Sequence, residues 1–240
     1  MKKTLPWSER YNTRIQVRRD GITLAFVALL CLAGTGCSNL SNTQSGALIG
    51  AGAGGALGAI VGNATGSTAR GAIIGAAVGG AAGAIIGSRM NDRADTLERE
   101  LSNATIERVG EGILVTFDSG ILFGFDSSNL QAQARNNLSD LARVLAEDWD
   151  DYELLVAGHT DDSGAEVYNQ RLSERRASAA SDFLATHGIP GTQIRVQGLG
   201  EMEPVASNET PSGQEANRRV EIAIFASAKY RNEASRQARN

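Results

Sequence analysis

The sequence predicts an α+β chain: a mixed sheet of βαβαβ type with helices on one face, preceded by a glycine-zipper helical hairpin. Three observations carry this. Strand-like and helix-like patterns alternate through the C-terminal half, glycine recurs every four residues in two blocks before it, and the composition is otherwise ordinary. The 240 residues make room for one to two domains of roughly 100 to 150 residues each. With 42% hydrophobic and 21% charged residues, wholesale disorder is excluded. A formal net charge of -4 argues against nucleic acid as a partner, because that role needs an excess of Lys and Arg.

Residues 1–36 read as an export signal. Lys2, Lys3, Arg10, Arg14, Arg18 and Arg19 precede an apolar run from Ile22 to Ala33, and Gly34, Thr35 and Gly36 lead to Cys37. This is the order of charged region, apolar region and cleavage site. The run is shorter than the roughly 20 residues of a spanning helix. Leu32 to Ser38 resembles a bacterial lipobox, although Gly34 stands where an aliphatic residue is favoured, and the resemblance implies lipidation of Cys37. A plain secretory signal is the alternative. Cys31 and Cys37 are the only cysteines, so nothing downstream forms a disulfide or a thiolate metal site.

Residues 37–45 form a short linker, and residues 46–87 carry the zipper. Gly46, Gly50, Gly54, Gly58 and Gly62 recur every four residues, and the series restarts at Gly71, Gly75, Gly79, Gly83 and Gly87. Residues four apart share a helix face, so each block offers a bare-backbone groove to another helix. Neither block has an ionisable side chain. In water the interior glycines cost roughly 0.8 to 1 kcal/mol each relative to Ala, whereas lipid favours any helix that pairs its backbone groups. The expectation is a membrane hairpin turning at Asn63–Arg70, which spans, lies on the membrane or self-associates; a flexible linker is the bland alternative. Ser88 to Arg108 is charged, with Ala94, Leu97, Leu101 and Ala104 at helical spacing, which predicts a connector helix over 88–110.

Residues 111–226 then read as the folded domain, with a tail from 227 to 240. Ile113 to Phe117 is a strand, expected to turn at Asp118–Gly120 into Ile121–Phe123 as a hairpin. A helix follows Asn129 with Leu130, Ala134, Leu138, Leu141 and Leu145 in register. Further elements are a strand at 153–158, a helix at 166–187 closed by Gly188, and strands at 193–197 and 219–225.

Gly158-His159-Thr160-Asp161-Asp162-Ser163-Gly164, Asn169 to Ala177, Gly198-Leu199-Gly200, Pro204 and Asn217-Arg218-Arg219-Val220-Glu221 together resemble the OmpA-like peptidoglycan-binding domain. With lipobox and zipper the arrangement is similar to outer-membrane lipoproteins of the YiaD type, and the C-terminal half alone is similar to Pal. The resemblance implies a non-covalent ligand, the diaminopimelate of the peptidoglycan stem peptide, whose free end presents an ammonium beside a carboxylate. Asp161 matches the aspartate that takes the ammonium and Arg176 the arginine that takes the carboxylate, a task suited to a guanidinium fork. Thr160, Phe125 and Asp126 resemble pocket-lining positions, and Arg219 a second basic wall. It also implies outer-membrane lipid as a partner, a lipid-anchored location with the C-terminal domain in the periplasm, self-association through the zipper, and no cofactor.

Read without the family, Asp161 is equally a helix cap and Arg176 part of a solvated charged face. Two other function classes stay open. A hydrolase is suggested by His159, Asp161 and Ser163, yet no Gly-x-Ser-x-Gly elbow surrounds Ser163. Metal catalysis has only two His and no His-x-x-Glu-His spacing to draw on. A stator-like channel subunit would need an ionisable residue inside a spanning helix, and neither zipper block supplies one. The expected function is therefore tethering of the outer membrane to peptidoglycan, without enzymatic activity.

Overall fold

β-Branched and aromatic side chains alternating in and out build five strands, and the computed structural model, which describes residues 67–124 and 126–240, joins them in one sheet. The strands are β1 (Ala104–Val109), β2 (Gly112–Asp118), β3 (Tyr152–Gly158), β4 (Ile194–Gly198) and β5 (Arg219–Ala226), in the order β1-β2-β5-β3-β4. All pairings are antiparallel except β3 with β4. That parallel pair is joined by α5 (Glu166–Thr186), the crossover helix such a connection requires.

The period of two sorts the sheet into faces. Ile113, Val115, Phe117, Leu154, Val156, Val220, Ile222 and Ile224 form the main core with α2 (Gly80–Glu100), α4 (Ala132–Ala146), α5 and α7 (Ala228–Gln237). The expected layer of helices on one face is present. The opposite face is also covered: Leu114, Leu155, Ala223 and Phe225 pack under Ala69, Ile73 and Ala76 of α1 (Thr68–Ala76).

Helix α1 and the start of α2 contain the second glycine block, and here the structure departs from the sequence expectation. The block is not one helix. Gly79 and Gly80 have φ of 67° and 62°, a left-handed conformation that glycine adopts without strain. The chain thereby passes from one face of the sheet to the other. The Glu111 carboxylate in the β1–β2 turn receives the amides of Val78 and Gly79 at 2.9 and 2.7 Å. Of the apolar side chains expected to face lipid, Ile73 and Ile86 are wholly buried within the domain, while Ile74 and Val78 stay exposed. Among the described residues no helix is long and apolar enough to cross a membrane. The first glycine block, Cys37 and the export signal lie outside the described residues.

Three boundaries also move. The connector helix ends at Glu100, and Ala104–Val109 is the edge strand that pairs with β2, because Ile106 and Val109 find partners in β2 that a helix would not offer. The expected hairpin after Phe117 is instead a single helical turn, α3 (Ser119–Leu122), with the Asp118 carboxylate receiving the Gly120 amide at 2.7 Å. The tail is helix α7, started by Ser227 and anchored on α2 by buried Tyr230 and Ala234.

Candidate ligand-binding site

The site is built where β3 ends and α5 begins. Gly158 closes β3, and a Cβ there would lie 2.3 Å from the Ser173 carbonyl oxygen, so only glycine lets α5 lie this close to the strand end. From that point His159 N donates to Arg219 O at 2.9 Å and Thr160 N to Gly200 O at 2.8 Å. The loop is thereby pinned to β5 on one side and to the 199–206 loop on the other. Asn169 of α5, 2% exposed, donates to the Asp161 carbonyl at 3.2 Å and to the Glu201 carboxylate at 2.6 Å. Asn217 at the end of α6 (Pro211–Asn217) receives the amides of Val205 and Ala206, which fixes the far end of the second loop.

Asp161 is 7% exposed. Its Oδ1 receives the Ser163 amide at 3.0 Å, and its Oδ2 receives Arg218 Nη1 at 2.5 Å. It does not cap α5, whose first flanking residue, Ala165, makes no side-chain capping bond. Arg176 is 6% exposed and belongs to no solvated face. Its Nε donates to Ser127 O at 3.0 Å, its Nη1 reaches Ser119 Oγ at 3.5 Å, and its guanidinium carbon stands 5.3 Å from the centre of the Phe123 ring. No described carboxylate lies within ion-pair distance of it, and burial lowers its pKa, with the negative charge of Asp126 and the Tyr168 phenol working the other way. The positive charges of Arg218 and Arg175 add to the lowering.

Thr160 is buried, and its Oγ1 has no partner among the described residues. Asp126 is exposed with φ of 51°, and its carboxylate receives the Tyr168 hydroxyl. Phe125 lies outside the described residues. Arg219 does not join the Asp161–Arg218 pair. It lies on the face of the sheet opposite Val220 and is 3% exposed, donating from Nε to Glu221 at 2.7 Å, from Nη1 to Asn217 O at 3.3 Å and from Nη2 to Glu203 O at 3.1 Å. The basic wall beside Asp161 is its neighbour Arg218. Strand alternation carried that signal: if Val220, Ile222 and Ile224 face the core, Arg219 and Glu221 must face away. Tyr168, Asn169 and Glu201 are further contributors that sequence reasoning did not single out.

The hydrolase arrangement is not assembled. His159 lies beneath α1, its Nε2 3.7 Å from Glu221, and both ring nitrogens lack hydrogen bonds among the described residues. Asp161 is turned to Ser163 N and Arg218 instead. Among the described residues no three His, Cys, Asp or Glu side chains gather to hold a metal.

A buried carboxylate and a buried guanidinium on a mixed sheet mark an α+β domain with charged groups held out of solvent. The sequence profile of the OmpA family matches residues 122–218, and that of the YMGG-like Gly-zipper matches residues 18–91. The chain belongs to the OmpA family. It is similar to the outer-membrane lipoprotein YfiB of Pseudomonas aeruginosa, 44% identical over 115 residues covering 48% of this chain and 67% of YfiB. It is also similar to the probable lipoprotein YiaD of Escherichia coli, 36% identical over 123 residues, 51% of this chain and 56% of YiaD. The chain thus spans about half to two thirds of these relatives. Among solved structures, the cell wall anchor of the T6SS from Pseudomonas aeruginosa aligns with a TM-score of 0.50 at 28% identity, over 58% of this chain and 98% of that one. A MotB-like protein from Desulfovibrio vulgaris, at 19% identity and a TM-score of 0.54 over 60% of this chain and 96% of its own, shares the fold.

Proposed function

We propose that the chain is an outer-membrane lipoprotein that holds the diaminopimelate of peptidoglycan non-covalently and so ties the membrane to the cell wall. One observation carries the reading: Arg176 is a buried guanidinium with no carboxylate within ion-pair distance among the described residues, and the Asp161 carboxylate of the same domain is buried as well. A buried charge is stable only when paired, and the free end of diaminopimelate carries the carboxylate that pairs with Arg176 and the ammonium that pairs with Asp161. Thr160 Oγ1 and the Asp126 side chain border the ligand in this reading. Relatives named as outer-membrane lipoproteins and a structural neighbour titled a cell wall anchor support the assignment. The role is binding, with no chemical turnover.

Cys37 carries the lipid in this reading, and the first glycine block adds a second apolar contact with the membrane or another copy of the chain. The binding claim is tested by sedimenting the detergent-solubilised full chain with purified sacculi and competing with a soluble diaminopimelate-containing muropeptide. Displacement by the muropeptide is expected; sedimentation insensitive to it would defeat the reading. The anchor is tested separately by Cys37→Ala, which should abolish incorporation of labelled fatty acid.

A further inference from the structure

Helix α1 lies on the sheet face opposite Arg176, yet its first turn is bonded into the two loops that shape the Asp161 site. The first route runs through β5. Ser67 Oγ donates to Glu221 Oε2 at 3.1 Å, and Glu221 Oε1 receives Arg219 Nε at 2.7 Å. The Arg219 carbonyl receives the amide of His159 at the root of the Asp161 loop, and Arg218, one residue back, donates to Asp161 itself. The second route runs through the 199–206 loop. Thr68 gives both its amide, at 3.0 Å, and its hydroxyl to the Glu203 carboxylate. The Glu203 carbonyl receives Arg219 Nη2. From the same loop Gly200 O receives Thr160 N, and Glu201 receives the Asn169 amide that also holds the Asp161 carbonyl.

The attachment has the character of a strap. Off the sheet, a nine-residue helix is too short to persist in water, so α1 is either docked or unravelled. Docked, it seals Arg219 and Glu221, each 3% exposed. Undocked, it removes the Ser67 hydroxyl from Glu221 and opens that ion pair to solvent. Any load carried along residues 1–66 enters the domain at Ser67 and Thr68, the adjacent residues that start the two routes.

We propose that α1 is a detachable strap whose docking holds the Asp161 loop in its ligand-binding shape, so that releasing the strap weakens ligand binding and bound ligand fastens the strap. This rests on the binding reading above, and it makes tension on the membrane-proximal segment a regulator of the wall contact. Coupling between two sites is reciprocal, so both directions are measurable.

The test uses the full chain in detergent micelles, with muropeptide affinity read by calorimetry and strap docking by hydrogen exchange at amides 71–76. Ile73, 1% exposed at the centre of the strap contact, is replaced in Ile73→Asp; Ile73→Ala serves if the aspartate variant loses exchange protection throughout β5. The undocked variant should lose protection at 71–76 while β5 and α5 stay protected, and should bind muropeptide about 5-fold to 150-fold more weakly. In the wild type, saturating muropeptide should raise protection at 71–76. An undocked variant that binds like the wild type, or wild-type strap protection indifferent to ligand, overturns the coupling alone. A wild type that binds no muropeptide overturns the binding reading and the coupling with it.

Discussion

Arg218 and Asp161 form an ion pair, Nη1 to Oδ2 at 2.5 Å, in which the arginine takes an oxygen that the proposed ligand ammonium would need. The Arg218 side chain is 40% exposed, and an ion pair this open to solvent is worth roughly 0 to 1 kcal/mol. Displacing it is therefore easy, and removing it should help a ligand that brings only an ammonium. Arg218→Ala should bind a muropeptide whose diaminopimelate carboxylate is amidated up to about 5-fold more tightly than the wild type does. Calorimetry checks this; weaker binding would mean that Arg218 holds the ligand and does not compete with it.

Asp161 and Arg176 should behave as two halves of one clamp. Asp161→Ala removes the ammonium partner and Arg176→Ala the carboxylate partner, and each loss of a charge-assisted bond costs about 1.5 to 3 kcal/mol, roughly 10-fold to 150-fold in affinity. The double variant should lose less than the sum, because both residues grip one rigid zwitterion. Amidating the ligand carboxylate should mimic Arg176→Ala on the wild type and change little for that variant. Near-UV circular dichroism confirms folding. A folded Asp161→Ala chain that still sediments with sacculi like the wild type rules the aspartate out of the site.

Residues with a single structural reading were legible in the sequence. Leu130 to Leu145 and Glu166 to His187 carry unbroken helical spacing, and the structure starts and ends those helices within about two residues of it. Ala104 continues the helical spacing of Ala94, Leu97 and Leu101, while the strand it begins, at the edge of the sheet among the described residues, has little alternation to announce itself. Asp118 failed for another reason: an Asp accepting an amide two residues on serves a hairpin turn and a helix start equally. The second glycine block was legible as a close-packing surface but not as to partner. Small residues admit a sheet as readily as a helix, and only the tertiary fold supplies Leu155 and Phe225 to receive Ile73. For the candidate site, motif order led to the buried Asp161 and Arg176, whereas Arg219 could be placed only from the face it takes at the start of β5, with Arg218 just before the strand.

The buried pair beneath α1 should give the domain a defined acid sensitivity. Burial alone would raise the Glu221 carboxyl, but His159 and Arg219 overcome it and hold the group at about 2, below the ordinary 4.5. A carboxyl whose pKa is lower folded than unfolded adds stability above its unfolded value, and that stability is lost as pH falls toward the folded value. The contribution should be complete above about pH 5 and decline through the interval from 4.5 to 2, by about 3 kcal/mol in all. Glu221→Gln should remove this part of the dependence. Urea unfolding at several pH values gives the comparison, and a stability difference between the two chains that stayed constant from pH 7 to 2.5 would contradict it.

Helix α2 joins the second glycine block to the sheet and packs into the core, and Leu97 measures that packing. Leu97 is wholly buried, in line with Ile86, Met90 and Ala94 along the side of α2 that meets the sheet, α4 and α7. Arg89 and Arg93 on the same helix reach Asp148, and Arg89 also stands 5.2 Å over the Tyr230 ring of α7. A flexible connector would tolerate truncation at Leu97 with no change beyond helix propensity, which favours Ala. A core helix would lose transfer energy and gain a cavity, about 2 to 5 kcal/mol for Leu→Ala. We therefore expect Leu97→Ala to lower the stability of the whole domain by that amount, with one cooperative transition seen alike by far-UV dichroism and by Trp149 fluorescence. Trp149 lies between α4 and β3, outside α2, so agreement of its signal with far-UV dichroism shows that the helix and the rest of the domain unfold together. Fluorescence unfolding unchanged by Leu97→Ala would return α2 to the status of a connector.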